Sequence, residues 1–183
     1  MIQDLHIDSE WTLFLDRDGV INEEKKEDYI RNWAEFKFYP ESLLALPLLA
    51  QKFSRIIITT NQKGIGKGLM TELDLTDIHA HMTAEILKVG GRIDAIYYCA
   101  DLDNHSPNRK PQPGMAFQAK EQYPMIDLSK SIMVGNRMSD MEFGRNAGMY
   151  TVYLATTHPE AVYPDTKIDD RFDHLFQFAK TLK

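Results

Sequence analysis

Residues 56–60 read Ile-Ile-Ile-Thr-Thr. A run of β-branched side chains without polar alternation suits a strand buried on both faces, as in a parallel sheet covered by helices. Trp11 to Leu15, Ile96 to Tyr98, Ser131 to Val134 and Tyr150 to Leu154 are further short runs of this kind. Helical patterns separate them. Leu75, Ile78, Met82 and Ile86 recur at spacings of three and four, with Thr71 and Asp74 placed as a capping box and Gly90-Gly91 as a stop. Strand and helix alternating at this interval predict βαβ units, hence an α/β chain with a mostly parallel sheet. Pro47 falls inside the helix that Pro40-Glu41 opens and predicts a kink there.

A length of 183 residues suits a single domain spanning 1–183. Residues 17–40, with Glu23-Glu24-Lys25-Lys26-Glu27-Asp28, read as an excursion at the mouth of the sheet. Residues 156–167 read as a loop, and Phe172, Leu175, Phe176 and Ala179 as a short closing helix with Asp173 near its N-cap. His79 and His81 lie two apart on their helix, cannot share a face, and read as surface residues.

Charge and cysteine usage narrow the function classes. The balance of 21 basic against 27 acidic residues, −6, argues against a chain held mainly by nucleic-acid phosphates or anionic lipid. One cysteine, Cys99, excludes an intrachain disulfide and suits a reducing compartment. Residues 1–10 carry three acids and no apolar signal-peptide core, and the longest apolar run, Leu43 to Ala50, is too short to span a bilayer. The expectation is a cytoplasmic protein without membrane contact, a monomer or small homo-oligomer.

Four polar clusters fall after strands, where open α/β sheets bind ligands. They are Asp16-Arg17-Asp18-Gly19, Thr60-Asn61-Gln62-Lys63-Gly64, Arg109-Lys110-Pro111 and Gly135-Asn136-Arg137-Met138-Ser139-Asp140. Singly, each is more often a solvated turn or a cap. Together they make a chemical set. Two carboxylates on a turn with a third acid elsewhere suit Mg²⁺, which takes few protein oxygens and keeps phosphate and water. An Asp beside such a cation can attack phosphorus, and a second Asp two residues on can trade a proton with the leaving group and then with water. Hydroxyl, amide and ammonium donors can hold the phosphoryl oxygens.

These segments, read as Asp16 to Asn22, Thr59 to Gly68, Arg109 to Met115 and Val134 to Met149, resemble the four motifs of the haloacid dehalogenase-like phosphatases. The likeness covers roughly residues 11–155. It is greatest to the capless branch containing D-glycero-D-manno-heptose-1,7-bisphosphate 7-phosphatase and histidinol-phosphatase, with Asn22, Gln62 and residues 63–68 nearer the heptose enzymes. The resemblance implies a three-layer αβα, Rossmann-like fold without a large cap. It implies Asp16 as nucleophile, Asp18 as general acid/base, and Thr60, Asn61, Arg109 and Lys110 as phosphate-binding residues. The implied metal set is Asp16, Asp18 through its main-chain carbonyl, Asn136 and Asp140, for Mg²⁺.

Two departures stand out. Asn136 takes the place of the family's usual Asp, removing a unit of charge, so Asn136→Asp is expected to tighten cation binding. Family members also carry a Cys/His zinc loop before the Lys-Pro motif. Here Asp101 and Asn108 replace expected ligands, leaving Cys99 and a stray His105, so zinc is not expected. The resulting expectation is a Mg²⁺-dependent phosphomonoesterase acting on a small phosphorylated metabolite, a sugar phosphate such as a heptose bisphosphate. The competing readings are a histidinol-phosphate or nucleic-acid 3′-phosphate phosphatase, and a weakened phosphosugar-binding protein. Asp18 favours hydrolysis, because a phosphoryl receiver has no acid at that position.

Overall fold

The computed structural model describes residues 1–182. Six strands, β1 (Thr12–Leu15), β2 (Arg55–Asn61), β3 (Ala95–Cys99), β4 (Ser131–Gly135), β5 (Tyr150–Leu154) and β6 (Asp170–Phe172), form one sheet. Its order is β3-β2-β1-β4-β5-β6, and every neighbouring pair is parallel. The chain builds one side from β1 outward, returns to the centre, and builds the other side from β4. This reversal leaves a crevice beyond the carboxyl ends of β1 and β4.

The helices are α1 (Pro40–Lys52), α2 (Lys63–Gly66), α3 (Glu72–Lys88), α4 (Gly114–Gln122), α5 (Met138–Ala147) and α6 (Leu175–Thr181). Alternation along the central strands decides which layer each side chain joins. Leu13, Leu15, Ile56, Ile58, Ile132 and Val134 pack with Leu46 and Leu49 of α1, Ile78 and Met82 of α3, and Phe178 of α6. Phe14, Ile57 and Met133 pack on the other face with Met115 and Ala119 of α4 and Phe143 of α5. Each such side chain, fully buried, contributes roughly 1.5–3 kcal/mol, which holds the central strand ends in fixed register.

Helix α3 begins and ends as its sequence predicts. The Asp74 N–H donates to Thr71 Oγ1 at 3.1 Å, the Thr71 N–H donates back to Asp74 Oδ2 at 2.7 Å, and Gly90 turns away at φ +84°. Pro47, where a kink was expected, lies within a helix that continues to Lys52. The tail differs from expectation. Phe172 belongs to β6 rather than to the closing helix, and the cap of α6 is His174, whose Nδ1 accepts from the Gln177 N–H at 3.2 Å. Residues 17–40 form no separate layer. The Tyr39 N–H donates to the Ile21 carbonyl, and Trp33 stacks on His81 of α3 at 5.2 Å between ring centroids. No described helix is long and apolar enough to cross a membrane.

Candidate active site

A cavity of about 490 Å³ opens at the crevice, with Asp16, Asp18, Thr60, Lys110 and Asp140 in its wall. Asp16 continues β1 by one residue, its N–H donating to the Val134 carbonyl at 3.0 Å. Its Oδ1 accepts from the Arg17 N–H at 2.8 Å and from Lys110 Nζ at 2.9 Å. Among the described residues nothing donates to Oδ2. The Lys110 ammonium also donates to Asp140 Oδ1 at 2.7 Å and to the Thr59 carbonyl at 2.8 Å, so its three N–H groups have three acceptors. Asp140 reaches this position because residue 135 is glycine: a Cβ there would lie 2.2 Å from the Asp140 Cβ.

With Asp16 ionised, two carboxylates against one ammonium leave this buried cluster one net negative charge. Burial pushes Asp16 up to about 7, with Asp140 adding to the rise and Lys110 opposing it. Burial also disfavours the Lys110 ammonium, but Asp140 and Asp16 outweigh it and hold Lys110 above the usual lysine range. A phosphoryl dianion entering here would meet like charge, so the pocket calls for a further cation before it can accept one.

Asp18 sits in a contrasting environment. Both its oxygens accept from Arg17 Nη2 at 2.9 Å, Oδ1 also from Asn22 Nδ2 at 2.9 Å and Oδ2 from Gln62 Nε2 at 3.0 Å. Burial works to raise this carboxyl, but Arg17 and the two amides overcome it and hold Asp18 below the usual carboxylate range. The two acids of the turn are thus pushed apart by their surroundings.

Thr60 Oγ1 accepts from Gln62 Nε2 at 2.9 Å, which leaves its own hydroxyl proton for a ligand. Asn61 does something other than expected with its side chain. Its Nδ2 donates to the Lys110 carbonyl and its Oδ1 accepts from the Lys110 N–H, both at 3.1 Å, so the amide clamps the lysine in place. Arg109 lies at the cavity wall, its Nη1 donating to the Asp101 carbonyl at 3.4 Å.

The expected metal set divides. Asp140 gives Oδ1 to Lys110 and Oδ2 to the Arg137 N–H at 3.0 Å, which makes it a counter-ion of the lysine. Asn136 is fully buried against Gly19, where a Cβ would fall 2.0 Å from Asn136 Nδ2. That nitrogen donates to Glu24 Oε2 at 3.0 Å and to Thr157 Oγ1 at 2.6 Å. Its Oδ1 is buried with no partner among the described residues. An orphaned amide oxygen beside the Asp18-Gly19 turn fits a hard cation, so the residues present suit Mg²⁺. No described group of three or more His, Cys, Asp or Glu side chains forms a metal cluster, consistent with a site built from amide and main-chain oxygens beside one acid.

A family model described as polynucleotide kinase 3 phosphatase matches residues 12–174. The chain belongs to this family. It is a phosphatase of the haloacid dehalogenase-like type. It is 34% identical over 171 residues to a D-glycero-alpha-D-manno-heptose-1,7-bisphosphate 7-phosphatase of Mycobacterium bovis, covering 93% of this chain and 90% of that one. It is 38% identical over 143 residues to the Campylobacter jejuni enzyme of the same name, covering 78% and 80%. A crystal structure of D,D-heptose 1.7-bisphosphate phosphatase from B. bronchiseptica, complexed with magnesium and phosphate, superposes with a TM-score of 0.84 at 28% identity, covering 94% and 97% of the two chains.

Within this phosphatase framework, residues 99–109 are organised without a metal-like ligand set. Cys99 Sγ donates to Asp101 Oδ2 at 3.6 Å, and the Ser106 hydroxyl donates to the same oxygen. His105 is exposed. Sequence reasoning missed His79. It faces inward rather than outward, with Nε2 at 3.2 Å from Arg17 Nη1. The signal was its place one residue after Ile78 and three before Met82, on the margin of the buried stripe of α3. Arg137 and Ser139 also line the cavity and were not singled out.

Proposed function

We propose that this phosphatase hydrolyses a small sugar phosphate, D-glycero-D-manno-heptose 1,7-bisphosphate being the substrate that its relatives' names indicate. The observation that carries the chemistry is Asp16, whose Oδ1 is pinned by Lys110 while Oδ2 is left at the cavity. Oδ2 attacks phosphorus, the bond to the sugar oxygen breaks, and Asp18 gives that oxygen its proton. Asp18 then takes a proton from water, which attacks the aspartyl-phosphate and releases inorganic phosphate with Asp16 restored. Thr60 and Arg109 hold the phosphoryl oxygens, Lys110 supplies positive charge beside them, and Asn61 keeps Lys110 where it must be.

Mg²⁺ would be held by Asp16, the Asp18 carbonyl and Asn136, supplying positive charge that favours ionised Asp16 and offsets the phosphoryl oxygens. Burial raises Asp16 to about 7, whereas Arg17 and the two amides hold Asp18 low. A cation at Asp16 and a phosphoryl dianion beside Asp18 act in opposite directions on the two, which is the order the reaction needs. The single sheet and a family match covering residues 12–174 support reading the chain as one catalytic domain.

The net charge of −6 favours a small substrate over a nucleic-acid 3′ end. The test is phosphate release from heptose bisphosphate, other sugar phosphates, histidinol phosphate and a 3′-phosphorylated oligonucleotide. We expect the sugar bisphosphate to give the highest kcat/KM. A preference for the oligonucleotide or for histidinol phosphate refutes the assignment.

A further inference from the structure

Glu24 lies in the excursion of residues 17–40, two residues past the first motif and 112 residues from Asn136, yet its carboxylate closes on the Asn136 amide. Its Oε2 accepts from Asn136 Nδ2 at 3.0 Å, and its Oε1 accepts from Arg137 Nη2. Thr157, from the loop after β5, takes the second proton of Nδ2 at 2.6 Å. Both donors of the amide are therefore used, and its orientation is fixed. The consequence falls on the other end: Oδ1 is buried, without a partner among the described residues, 2.9 Å from where a Cβ on Gly19 would lie. A buried amide oxygen left unpaired is costly unless a ligand meets it.

We propose that Glu24 is a positioning residue for the cation site: it holds and polarises Asn136 so that a neutral amide serves where a carboxylate would otherwise be needed. The proposal rests on reading Asn136 as a cation ligand. A negative charge accepting from Nδ2 draws electron density toward Oδ1, as a carboxylate behind a metal-bound histidine raises that ligand's basicity. The acidic charge of the site is thus moved one residue outward, onto Glu24, and Arg137 neutralises its far oxygen. An Asp at position 136 would have no N–H to offer and would set a second carboxylate about 3 Å from Glu24 Oε2. The sequence-based expectation that Asn136→Asp tightens Mg²⁺ binding is reversed by this contact.

The test is a double-mutant cycle read by Mg²⁺ binding rather than turnover. Isothermal titration of Mg²⁺ alone into cation-free protein, with the Mg²⁺-dependent rise in melting temperature as a second readout, is run on four chains: wild type, Glu24→Gln, Asn136→Asp and the double variant. Outer partners of metal ligands typically contribute 10–100-fold in affinity. Glu24→Gln should weaken Mg²⁺ binding about tenfold in the wild-type background and strengthen it in the Asn136→Asp background. Asn136→Asp alone should bind no more tightly than wild type. An effect of Glu24→Gln with the same sign in both backgrounds, or tighter binding by Asn136→Asp alone, overturns the proposal.

Thr157→Val removes the other acceptor without changing charge, and should weaken Mg²⁺ binding by a smaller factor. It serves as the deciding variant if Glu24→Gln does not fold, and unchanged binding overturns the positioning. Wild type that binds no Mg²⁺ defeats the cation reading as well as this one. Bound Mg²⁺ with Glu24 variants indistinguishable from wild type defeats this one alone.

Discussion

His79 Nε2 accepts a hydrogen bond from Arg17 Nη1 at 3.2 Å, so the ring is neutral with its proton on Nδ1. Burial and the Arg17 charge, against a weaker pull from Asp18, push His79 down to about 3. Arg17 is fully buried and spends Nη2 on Asp18, so α3 reaches the acid of the turn through one guanidinium. His79→Leu leaves Nη1 without an acceptor and should cost about 1–3 kcal/mol in urea denaturation. His79→Gln, whose amide oxygen can accept, should recover part of the stability and of kcat. Equal stability in His79→Leu and wild type would remove the contact's importance.

The same contact sets a pH dependence. The unfolded chain binds a proton at His79 below about 6.5, whereas the folded chain resists it down to about 3. His79 therefore favours folding fully above pH 6.5 and progressively less as pH falls toward 3, by at most about 1.4 kcal/mol per unit. Asp16, raised to about 7, acts with the opposite sign between its unfolded value near 3.8 and 7, so the wild-type curve alone mixes the two. The stability of wild type minus that of His79→Gln isolates His79 and should rise with pH between 4 and about 6.5. A flat difference would mean that the folded protein protonates the ring readily.

Lys110 is the only ammonium between two buried carboxylates among the described residues. Removing one partner of a buried ion pair typically costs 3–5 kcal/mol, because the other charge stays buried and unpaired. Lys110→Met should lower stability by that order as well as abolish turnover. Adding Asp140→Asn should restore part of the stability and none of the turnover. Urea denaturation of the two variants checks this, and a Lys110→Met chain as stable as wild type would mean that Asp16 and Asp140 are already neutral.

The central sheet was legible because a parallel strand covered on both faces must be a continuous apolar run, as in Ile56-Ile57-Ile58 and Ile132-Met133-Val134. Strand β6 was not, since Asp170-Arg171-Phe172 is a three-residue edge whose pairing depends on β5 being beside it. Asp16 and Asp18 stood out because they follow a strand end at fixed spacing, and the structure brings both to the cavity. What escaped is the set of contacts made from far along the chain. Glu24 meets Asn136 across 112 residues and Arg17 meets His79 across 62, and nothing local to any of these four announces its partner. Asp140 comes to the cavity as expected, but its contact with Lys110 was not legible, because a sequence cannot show which cation takes a carboxylate's oxygens.

The two acids of the turn should fail differently when altered. An amide at position 16 cannot attack phosphorus, so Asp16→Asn should show no turnover at any pH. Asp18→Asn keeps the nucleophile but removes the proton donor, a role typically worth 10²–10⁴-fold. Its loss should be smaller with a substrate whose leaving group is a good one, such as a nitrophenyl phosphate, because that oxygen needs no proton. Phosphate release from a sugar phosphate and from nitrophenyl phosphate separates the roles. Equal losses on both substrates would remove Asp18 from proton transfer.

The loop before Lys110 gives the last prediction. Asp101 Oδ2 gathers Cys99 Sγ and the Ser106 hydroxyl, and the Asp101 carbonyl accepts from Arg109 Nη1. The carboxylate thus ties Cys99 and Ser106 together, while the main chain of the same residue meets the arginine at the cavity wall. Cys99 and the exposed His105 are too few to make the four-ligand set that a structural zinc ion requires. Purified protein should therefore carry no stoichiometric zinc by elemental analysis, and a zinc-stripping chelator should leave its melting temperature unchanged. Asp101→Ala keeps the carbonyl that meets Arg109 but frees the loop carrying it from Cys99 and Ser106, so it should raise KM for a phosphorylated substrate severalfold with a smaller effect on kcat. About one zinc per chain, or an Asp101→Ala variant with wild-type KM, would show that something other than this carboxylate holds the loop.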